Sequence, residues 1–232
     1  MPMLETAPPA TAGAHAPTSR VVLFDFDGVL LHGDAFNLFI RSRYTRSWWR
    51  GVLALPCVPW LVVMLPFSRR LAARTLVHVA LFGVGARRYR ALAAAFAVEL
   101  VRHSRRFCRD GLRQLRHHQQ AGDRVIVVTG CAEALVGAIM RELGLGEVEL
   151  YASRLRPTWL GMRTGFHNIG ANKLKVLAEH GVREWRCAYT DALQDAPMLK
   201  IAAEPVLVNG TPKLCKKMDA VLGRVVGRVA WH

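Results

Sequence analysis

Short apolar runs alternate with longer mixed segments along most of the chain. Four runs predict buried strands, at residues 21–24, 125–128, 187–190 and 206–208. The segments between them predict helices at 112–120, 132–143 and 172–180. Residues 147–166 alternate weakly and contain Pro157 and Gly161, which predicts strands or a flap. Strands that alternate with helices indicate an α/β fold with a parallel sheet.

Residues 35–109 lack strand runs and predict a helical insert between the first two strands. The last helix of the insert is expected to place four arginines on one face: Arg102, Arg105, Arg106 and Arg109. The pair Asp110-Gly111 predicts a break, after which the chain returns to the sheet.

The insert contains seventeen consecutive uncharged residues, 51–67. Trp48, Trp49 and Arg50 precede this run and Arg69 and Arg70 follow it, a flanking pattern typical of a membrane interface. The prolines at positions 56, 59 and 66 argue against one straight helix. The run predicts either a buried helical core or an interfacial, re-entrant element.

Positive charge is concentrated in the same insert. The chain has a net charge of +15, from 32 basic and 17 acidic residues. Residues 35–109 hold fourteen arginines, no lysine and one acid, Glu99. Arginine grips phosphate in a planar fork, so the insert predicts attraction to nucleic acid, anionic lipid or a phosphorylated substrate. A solvated basic face has the same composition.

Composition narrows the class of protein further. With 52% hydrophobic and 21% charged residues, the chain is neither disordered nor collagen-like. Its five cysteines form no C-x-x-C pair, which argues against a disulfide framework and for a reducing compartment. Residues 1–19 are rich in Pro, Ala and Thr and predict a disordered arm rather than a signal peptide.

Residues that can do chemistry lie at predicted strand ends and helix starts. Two acids, Asp25 and Asp27, follow the first strand and can serve as nucleophile and acid/base. A hydroxyl and a free amide follow the second strand, at Thr129 and Gly130. A lysine begins a helix and two acids follow the third strand: Lys173, Asp191 and Asp195. Each fits a turn or a cap by itself, but together they suit a phosphate and a hard cation.

This order of two acids, hydroxyl, lysine and two acids resembles the haloacid dehalogenase-like (HAD) phosphatase superfamily, over roughly residues 21–208. The insert is similar to the cap of its phosphoserine-phosphatase-like subfamily, IB. The resemblance implies an α/β fold in which a HAD-like Rossmannoid parallel sheet carries an inserted α-helical cap. The implied catalytic core is residues 20–34 and 110–232, and the implied cap is 35–109.

The resemblance also implies a role for each site residue. Asp25 would attack phosphorus and form an aspartyl-phosphate, and Asp27 would protonate the leaving group and then activate water. The implied ligands of Mg²⁺ are the Asp25 carboxylate, the Asp27 backbone carbonyl and Asp191. The implied phosphate-binding residues are Thr129, Gly130 and Lys173, and Asp195 would orient the metal shell or the lysine. Two departures, Val29 for a frequent Thr and Thr190-Asp191-Ala192 for Gly-Asp-Ser, remove no catalytic group.

Further strings resemble the phosphatidylglycerophosphatase C family of bacterial lipid phosphatases. They are Asp34-Ala35-Phe36 with Phe39, the run 51–67, and residues 190–195. This likeness implies conversion of phosphatidylglycerophosphate to phosphatidylglycerol, so an anionic phospholipid substrate and a membrane surface are the expected partners. Basic groups near anionic lipid contribute about 1 kcal/mol each.

The site constrains how the insert can meet a membrane. Its residues come from both sides of the insert, so one full crossing is excluded and a helical hairpin that dips into the bilayer is expected. Arg50, Arg69 and Arg70 are then expected at the head groups. The excess of arginine and the absence of disulfide patterns predict the cytoplasmic face of a bacterial inner membrane.

Two other functions are consistent with the residues. A soluble HAD phosphatase of a small metabolite such as phosphoserine, located in the cytoplasm, would use Asp34 to bind the substrate amine. A non-catalytic module would use the basic insert to bind a membrane or nucleic acid. Nucleic acid is the less expected partner, because the acids and the lysine that catalysis needs are all present.

Overall fold

A seven-stranded sheet forms the centre of this computed structural model, which describes residues 20–232. The strands are β1 (Val21–Phe24), β2 (Arg124–Ala132), β3 (Glu149–Thr158), β4 (Gly161–Phe166), β5 (Cys187–Thr190), β6 (Glu204–Val208) and β7 (Gly227–Val229). Their order is β4-β3-β2-β1-β5-β6-β7, and all neighbours are parallel except the β3–β4 hairpin. The expected α/β fold is confirmed. β1 lies where the chain order reverses, the usual ligand site of such sheets.

Helices cover both faces of this sheet, since alternate strand residues point to opposite sides. On one face, Leu23, Ile126 and Val128 pack with α8 (Ala171–Glu179), α9 (Ala196–Ile201) and α10 (Pro212–Leu222). On the other face, Phe24 and Val127 pack with α6 (Arg109–Gln120), α7 (Glu133–Glu142) and helices of the insert. The two cores hold the strand ends rigidly, and the candidate site lies at those ends.

The insert consists of five α-helices and short connecting turns. The helices are α1 (Ala35–Thr45), α2 (Trp48–Ala54), α3 (Val58–Phe67), α4 (Arg69–Ala80) and α5 (Ala86–Arg102). A 3₁₀ turn at Leu55–Cys57 separates α2 from α3, and Pro66 lies in the last turn of α3. The apolar run is therefore not one straight helix, as its prolines predict.

The two ends of the insert meet beside the sheet. The amide of His32 donates to the carbonyl of Arg106 at 2.8 Å, and the amide of Cys108 donates to the carbonyl of Leu30 at 3.0 Å. Leu31 and Phe107, both buried, pair between these bonds. The insert therefore leaves and rejoins the core at one place.

Whether a helix can span a bilayer depends on its length and hydropathy. Among residues 20–232, no single helix is both long enough and apolar enough to span it. Ala35–Thr45 and Trp48–Met64, which are bent by 100° relative to each other, meet the length and composition criteria as a pair.

The end of the insert differs from the sequence prediction. No continuous helix carries the four arginines, because α5 ends at Arg102 and residues 104–106 form a 3₁₀ turn. The predicted break at Asp110-Gly111 is also wrong, because both residues lie in the first turn of α6. The Cys108 sulfur caps this helix by accepting from the Gly111 amide at 3.3 Å. An added Cβ at Gly111 would lie 2.5 Å from the Val29 carbonyl, so glycine lets α6 pack on the site loop.

Arg50 does not lie where a head-group role would require it. Its side chain is 1% exposed, and its guanidinium donates to the carbonyls of Ala80 at 2.6 Å and Val79 at 3.1 Å. Arg50 thus satisfies carbonyls at the end of α4, and the expectation that it faces lipid is wrong. The side chains of Arg69 and Arg70, and the predicted disordered arm at 1–19, lie outside the described part of the chain.

Candidate active site

A tight loop after β1 presents the first two acids on one side. Phe26 is fully buried, so the neighbouring Asp25 and Asp27 point away from the core that holds Phe26. The Phe26 carbonyl accepts from the amides of Leu30 and Leu31, and Gly28 adopts φ +75 to close the turn. The loop therefore curls so that both carboxylates can face one ligand.

A buried lysine joins the first acid to the last one. The Lys173 Nζ atom lies 2.7 Å from Asp195 Oδ2 and 3.2 Å from Asp25 Oδ1, and its side chain is 2% exposed. Helix α8 begins after Gly170, at φ +54, which places Lys173 in its first turn. One ammonium thus compensates two carboxylates that burial would otherwise make costly.

Asp195 is held by a second group, Thr190, for which the sequence predicts no role. The Thr190 hydroxyl donates to Asp195 Oδ2 at 2.9 Å, beside the bond from Lys173. The other oxygen, Oδ1, has no hydrogen-bond partner within the described residues. Asp195 is fully buried and bonded to both Lys173 and Thr190, so it can hold the lysine in place.

Asp191 lies directly against the loop that carries Asp25 and Asp27. A Cβ added at Gly28 would lie 1.8 Å from Asp191 Oδ2, so only glycine leaves room for this carboxylate. Across residues 20–232, no three His, Cys, Asp or Glu side chains form a metal-binding cluster. The implied set for Mg²⁺ has two side-chain carboxylates and a backbone carbonyl. This all-oxygen set fits an ion that binds one or two carboxylates and keeps several waters.

Burial governs the ionisation of the acids. It raises the pKa of Asp25 well above the usual value, with the Lys173 charge acting in the opposite direction. It raises the pKa of Asp27 to about 7, against a hydrogen bond from the Ala35 amide, which lies 2.7 Å from Asp27 Oδ1. Burial also raises the pKa of Asp191. The cluster therefore favours a bound cation.

The lysine responds in the opposite sense. Burial lowers the pKa of Lys173, but the charges of Asp25 and Asp195 and their hydrogen bonds raise it by more. Its pKa is consequently above the usual value for lysine, and the ammonium stays charged at neutral pH.

Thr129 and Gly130 lie on the neighbouring strand and have partners of their own. β2 continues past them to Ala132, but its pairing with β3 shifts register between Val128 and Ala132. The Thr129 hydroxyl oxygen accepts from the Cys131 amide at 3.0 Å. Thr129 is fully buried, and neither residue has a direct bond to the acid–lysine cluster within residues 20–232. Both lie at the same edge of the sheet as Asp25, since Phe24 pairs with Val127.

Two polar residues that carry no recognisable motif fix this edge. The Ser153 hydroxyl donates to the Gly130 carbonyl at 2.7 Å and accepts from the Asn168 amide at 2.8 Å. The Asn168 side chain donates to the Tyr151 carbonyl at 2.9 Å. These bonds join β2 and β3 to the loop before α8. They therefore help to fix the position of α8 and of Lys173 in its first turn.

Fold and site together describe an α/β protein with its acid–lysine cluster at the carboxyl edge of a parallel sheet. Residues 22–200 match the family model for haloacid dehalogenase-like hydrolases, and the chain belongs to this family. It is 32% identical to Protein CicA of Caulobacter vibrioides over 196 residues, which cover 79% of this chain and 83% of that protein. It is also 31% identical to phosphoserine phosphatase SerB1 of Mycobacterium tuberculosis over 112 residues, 45% of this chain and 36% of that one.

A solved structure supports the fold over nearly the whole chain. A protein of unknown function from Bordetella pertussis Tohama I superposes with a TM-score of 0.67 at 21% identity, covering 90% of this chain and 99% of that one. Its likeness concerns the fold alone. With the family match and the acid–lysine site, the chain is a haloacid dehalogenase-like hydrolase.

Proposed function

We propose that the chain hydrolyses phosphomonoesters through an aspartyl-phosphate at Asp25, with Mg²⁺ as cofactor. The observation that carries this proposal is the buried contact of Lys173 with both Asp25 and Asp195. A lysine placed there neutralises charge on the nucleophile and on an arriving phosphate. Phosphoryl transfer depends mainly on such positioning and neutralisation.

Two carboxylates divide the reaction into two steps. Asp25 forms a bond to phosphorus while the bond from phosphorus to the ester oxygen breaks, and Asp27 gives that oxygen its proton. Asp27 then takes a proton from the water that attacks phosphorus, so phosphate leaves and Asp25 is restored. A pKa of about 7 suits Asp27 for both roles.

The remaining residues bind and orient. The Thr129 hydroxyl and the Gly130 amide supply hydrogen bonds for phosphoryl oxygens, and Asp195 holds Lys173 in place. Asp25, Asp191 and the Asp27 carbonyl would hold Mg²⁺, which supplies positive charge at the phosphoryl oxygens when bound.

The first experiment is phosphate release from a chromogenic monoester. Asp25→Asn should lose essentially all Mg²⁺-dependent turnover, because the amide cannot form the acyl-phosphate. Asp219→Asn is the matched control, since this acid pairs with Arg228 away from the site. Equal activity in the two variants would overturn the assignment of the nucleophile.

As substrate we propose an anionic phospholipid with a terminal phosphomonoester, such as phosphatidylglycerophosphate, at the cytoplasmic face of a bacterial inner membrane. An exposed apolar segment (residues 48–67) supports this proposal. Trp48 is 79% and Phe67 81% exposed, and further apolar side chains are exposed between them: Trp49, Leu55, Trp60, Val62 and Val63. Contiguous exposed apolar surface marks interaction sites, and exposed tryptophans favour the membrane interface.

The tip of the β3–β4 hairpin adds to this surface. Trp159 is 91% exposed, and Leu160 beside it is exposed as well. The Leu160 carbonyl accepts from the Gly83 amide of the insert at 3.0 Å, so the tip is joined to the insert next to the exposed Phe82. The strands of the hairpin carry exposed arginines and no acid after Glu149, which suits an anionic surface.

Substrate choice is tested in mixed micelles. Phosphatidylglycerophosphate is compared with phosphatidic acid, phosphoserine and a chromogenic monoester, with Asp25→Asn as the blank. The proposal expects the highest kcat/KM for phosphatidylglycerophosphate. Equal or faster hydrolysis of soluble esters would reject the lipid substrate and leave the nucleophile assignment intact.

One observation favours a small aminated metabolite as the second candidate. The exposed Asp34 caps the start of α1, where its Oδ1 accepts from the Asn37 amide at 2.7 Å, and its charge raises the pKa of Asp27. It therefore lies close enough to the site to meet a substrate ammonium. This candidate expects phosphoserine to be the best substrate and Asp34→Asn to raise its KM.

A further inference from the structure

A cavity of about 770 Å³ lies beside the candidate site, between α5, α7 and β3. Its walls are largely apolar and include Met140, Leu145, Leu150 and Met162. No side chain of the acid–lysine cluster lines it, so it is separate from the reacting groups. Its size and lining fall within the range of sites for small ligands.

Three arginines from three different elements converge on this cavity. They are Arg90 on α5, Arg141 on α7 and Arg154 on β3, and all three are exposed. None forms an ion pair with another residue of the described range 20–232. The one acid in the lining, Glu133, also forms no ion pair within that range. The cavity therefore offers three guanidinium groups without an acidic partner.

Tyr89 also lines the cavity. It is 2% exposed and its hydroxyl is inaccessible to solvent, so this residue contributes apolar surface and not a polar contact for a ligand.

Gly137 keeps part of the cavity open. It lies inside α7 with no positive φ, so no backbone conformation requires glycine there. An added Cβ would be 3.6 Å from both Arg141 Nη1 and Leu150 Cδ2, an ordinary contact with two lining residues. Glycine is a poor helix former, so its effect at this position is to leave space.

We infer that this cavity binds a single apolar chain with an anionic head group. The chain lies among Met140, Leu150 and Met162, and the head group lies at the arginines. A fatty-acid carboxylate and the phosphodiester of a lysophospholipid share this chemistry. The inference goes beyond the proposed function, because it holds whichever phosphate ester the site hydrolyses.

The test is binding of a dansylated fatty acid to the full chain, followed by fluorescence below its critical micelle concentration. Oleate, lysophosphatidylglycerol and the zwitterionic lysophosphatidylcholine serve as competitors. We expect saturable binding with one site, displaced by the two anionic lipids and much less by lysophosphatidylcholine. Both lysophospholipids carry an oleoyl chain, so the competitors differ in head group and not in chain, and their relative potency identifies the source of the ligand.

Two variants connect binding to the cavity. Gly137→Leu fills the space and should weaken binding by at least about tenfold, equivalent to about 1.4 kcal/mol. Arg141→Glu should weaken it too, whereas Arg87→Glu, the same charge change at an exposed position outside the lining, should not. Thermal unfolding and hydrolysis of a soluble chromogenic ester report whether each variant is folded.

The outcomes separate the two proposals. Absence of saturable binding, or wild-type binding by folded Gly137→Leu, would overturn the cavity site without affecting the phosphatase assignment. Equal displacement by lysophosphatidylcholine would overturn the anionic head group. Loss of turnover in Asp25→Asn with unchanged fatty-acid binding would show that the two sites are independent.

Discussion

At the scale of single residues, the site depends on how one lysine is shared. Lys173 contacts the proposed nucleophile and a fully buried acid, Asp195, which in turn is held by Thr190. The hydrogen-bonded series Thr190–Asp195–Lys173–Asp25 therefore fixes the reacting carboxylate relative to the end of β5. Of these four residues, only Thr190 had no role predicted from the sequence, because a threonine at a strand end is common.

Replacing Thr190 by Val tests that series. The substitution keeps the shape but removes the bond to Asp195, and a hydrogen bond to a charged group is worth about 1.5–3 kcal/mol. We expect a loss of stability of that order and a fall of about tenfold in kcat with little change in KM. Thr190→Ser, which retains the hydroxyl, should restore both, as measured by chemical denaturation and phosphate release. Unchanged kcat in the valine variant would contradict the positioning role.

Two glycines with similar backbone conformations allow the cost of backbone strain to be measured separately from the cost of a steric clash. Gly28 and Gly33 both have positive φ, +75 and +94, but only at Gly28 would a Cβ meet another atom, Asp191 Oδ2. Gly33→Ala should cost about 1–2 kcal/mol of stability and keep activity. Gly28→Ala should also displace Asp191 and abolish Mg²⁺-dependent turnover. Calorimetry and phosphate release at several Mg²⁺ concentrations distinguish these effects, and a fully active Gly28→Ala would refute the metal assignment.

At the scale of elements, local patterns predict strands better than they predict connections. The runs at β1 and β5 are short and mainly apolar, so their positions follow from sequence. β7 has only three residues, all partly or fully exposed, and offers no apolar run to detect. The start of α6 depends on the Cys108 sulfur and on contact with Val29. The burial of Arg50 depends on its bonds to carbonyls at the end of α4, about thirty residues later. These features depend on contacts between residues far apart in the sequence, which a local sequence pattern does not contain.

The exposed apolar segment (residues 48–67) makes a prediction at this scale. Trp48→Ser combined with Phe67→Ser should markedly weaken binding to vesicles that contain anionic lipid, because these two side chains are among the most exposed. Val221→Ser combined with Val225→Ser is the control, since those valines are exposed near α10. Vesicle co-sedimentation is the measurement, with hydrolysis of a soluble ester as the check on folding. Equal binding by both double variants would exclude this segment as the membrane contact.

At the scale of the whole molecule, a bound cation should stabilise the fold. Three acids at one sheet edge, Asp25, Asp27 and Asp191, have pKa values raised by burial, so their charged forms are unfavourable together. A ligand at one hundred times its Kd adds about 2.7 kcal/mol to stability. For a chain of this size that corresponds to a rise in Tm of about 5–10 °C.

Calorimetry with and without Mg²⁺ checks this expectation. The rise should be largely absent in Asp191→Asn, which removes one carboxylate of the implied set, and should persist in Asp219→Asn. A rise of equal size in all three proteins would assign the stabilising ion to another position.

The closed neck of the insert has a consequence for how this enzyme can change over evolution. Backbone hydrogen bonds join Leu30 to Cys108 and His32 to Arg106. Residues 33–105 therefore form a closed loop whose two ends lie side by side. Shortening, lengthening or exchanging the part of that loop beyond Ala35 leaves the register of β1 unchanged and keeps the Ala35 amide that donates to Asp27. On the proposed function, substrate choice can therefore diverge by replacement of this one segment, while Asp25 and Asp27 keep their positions.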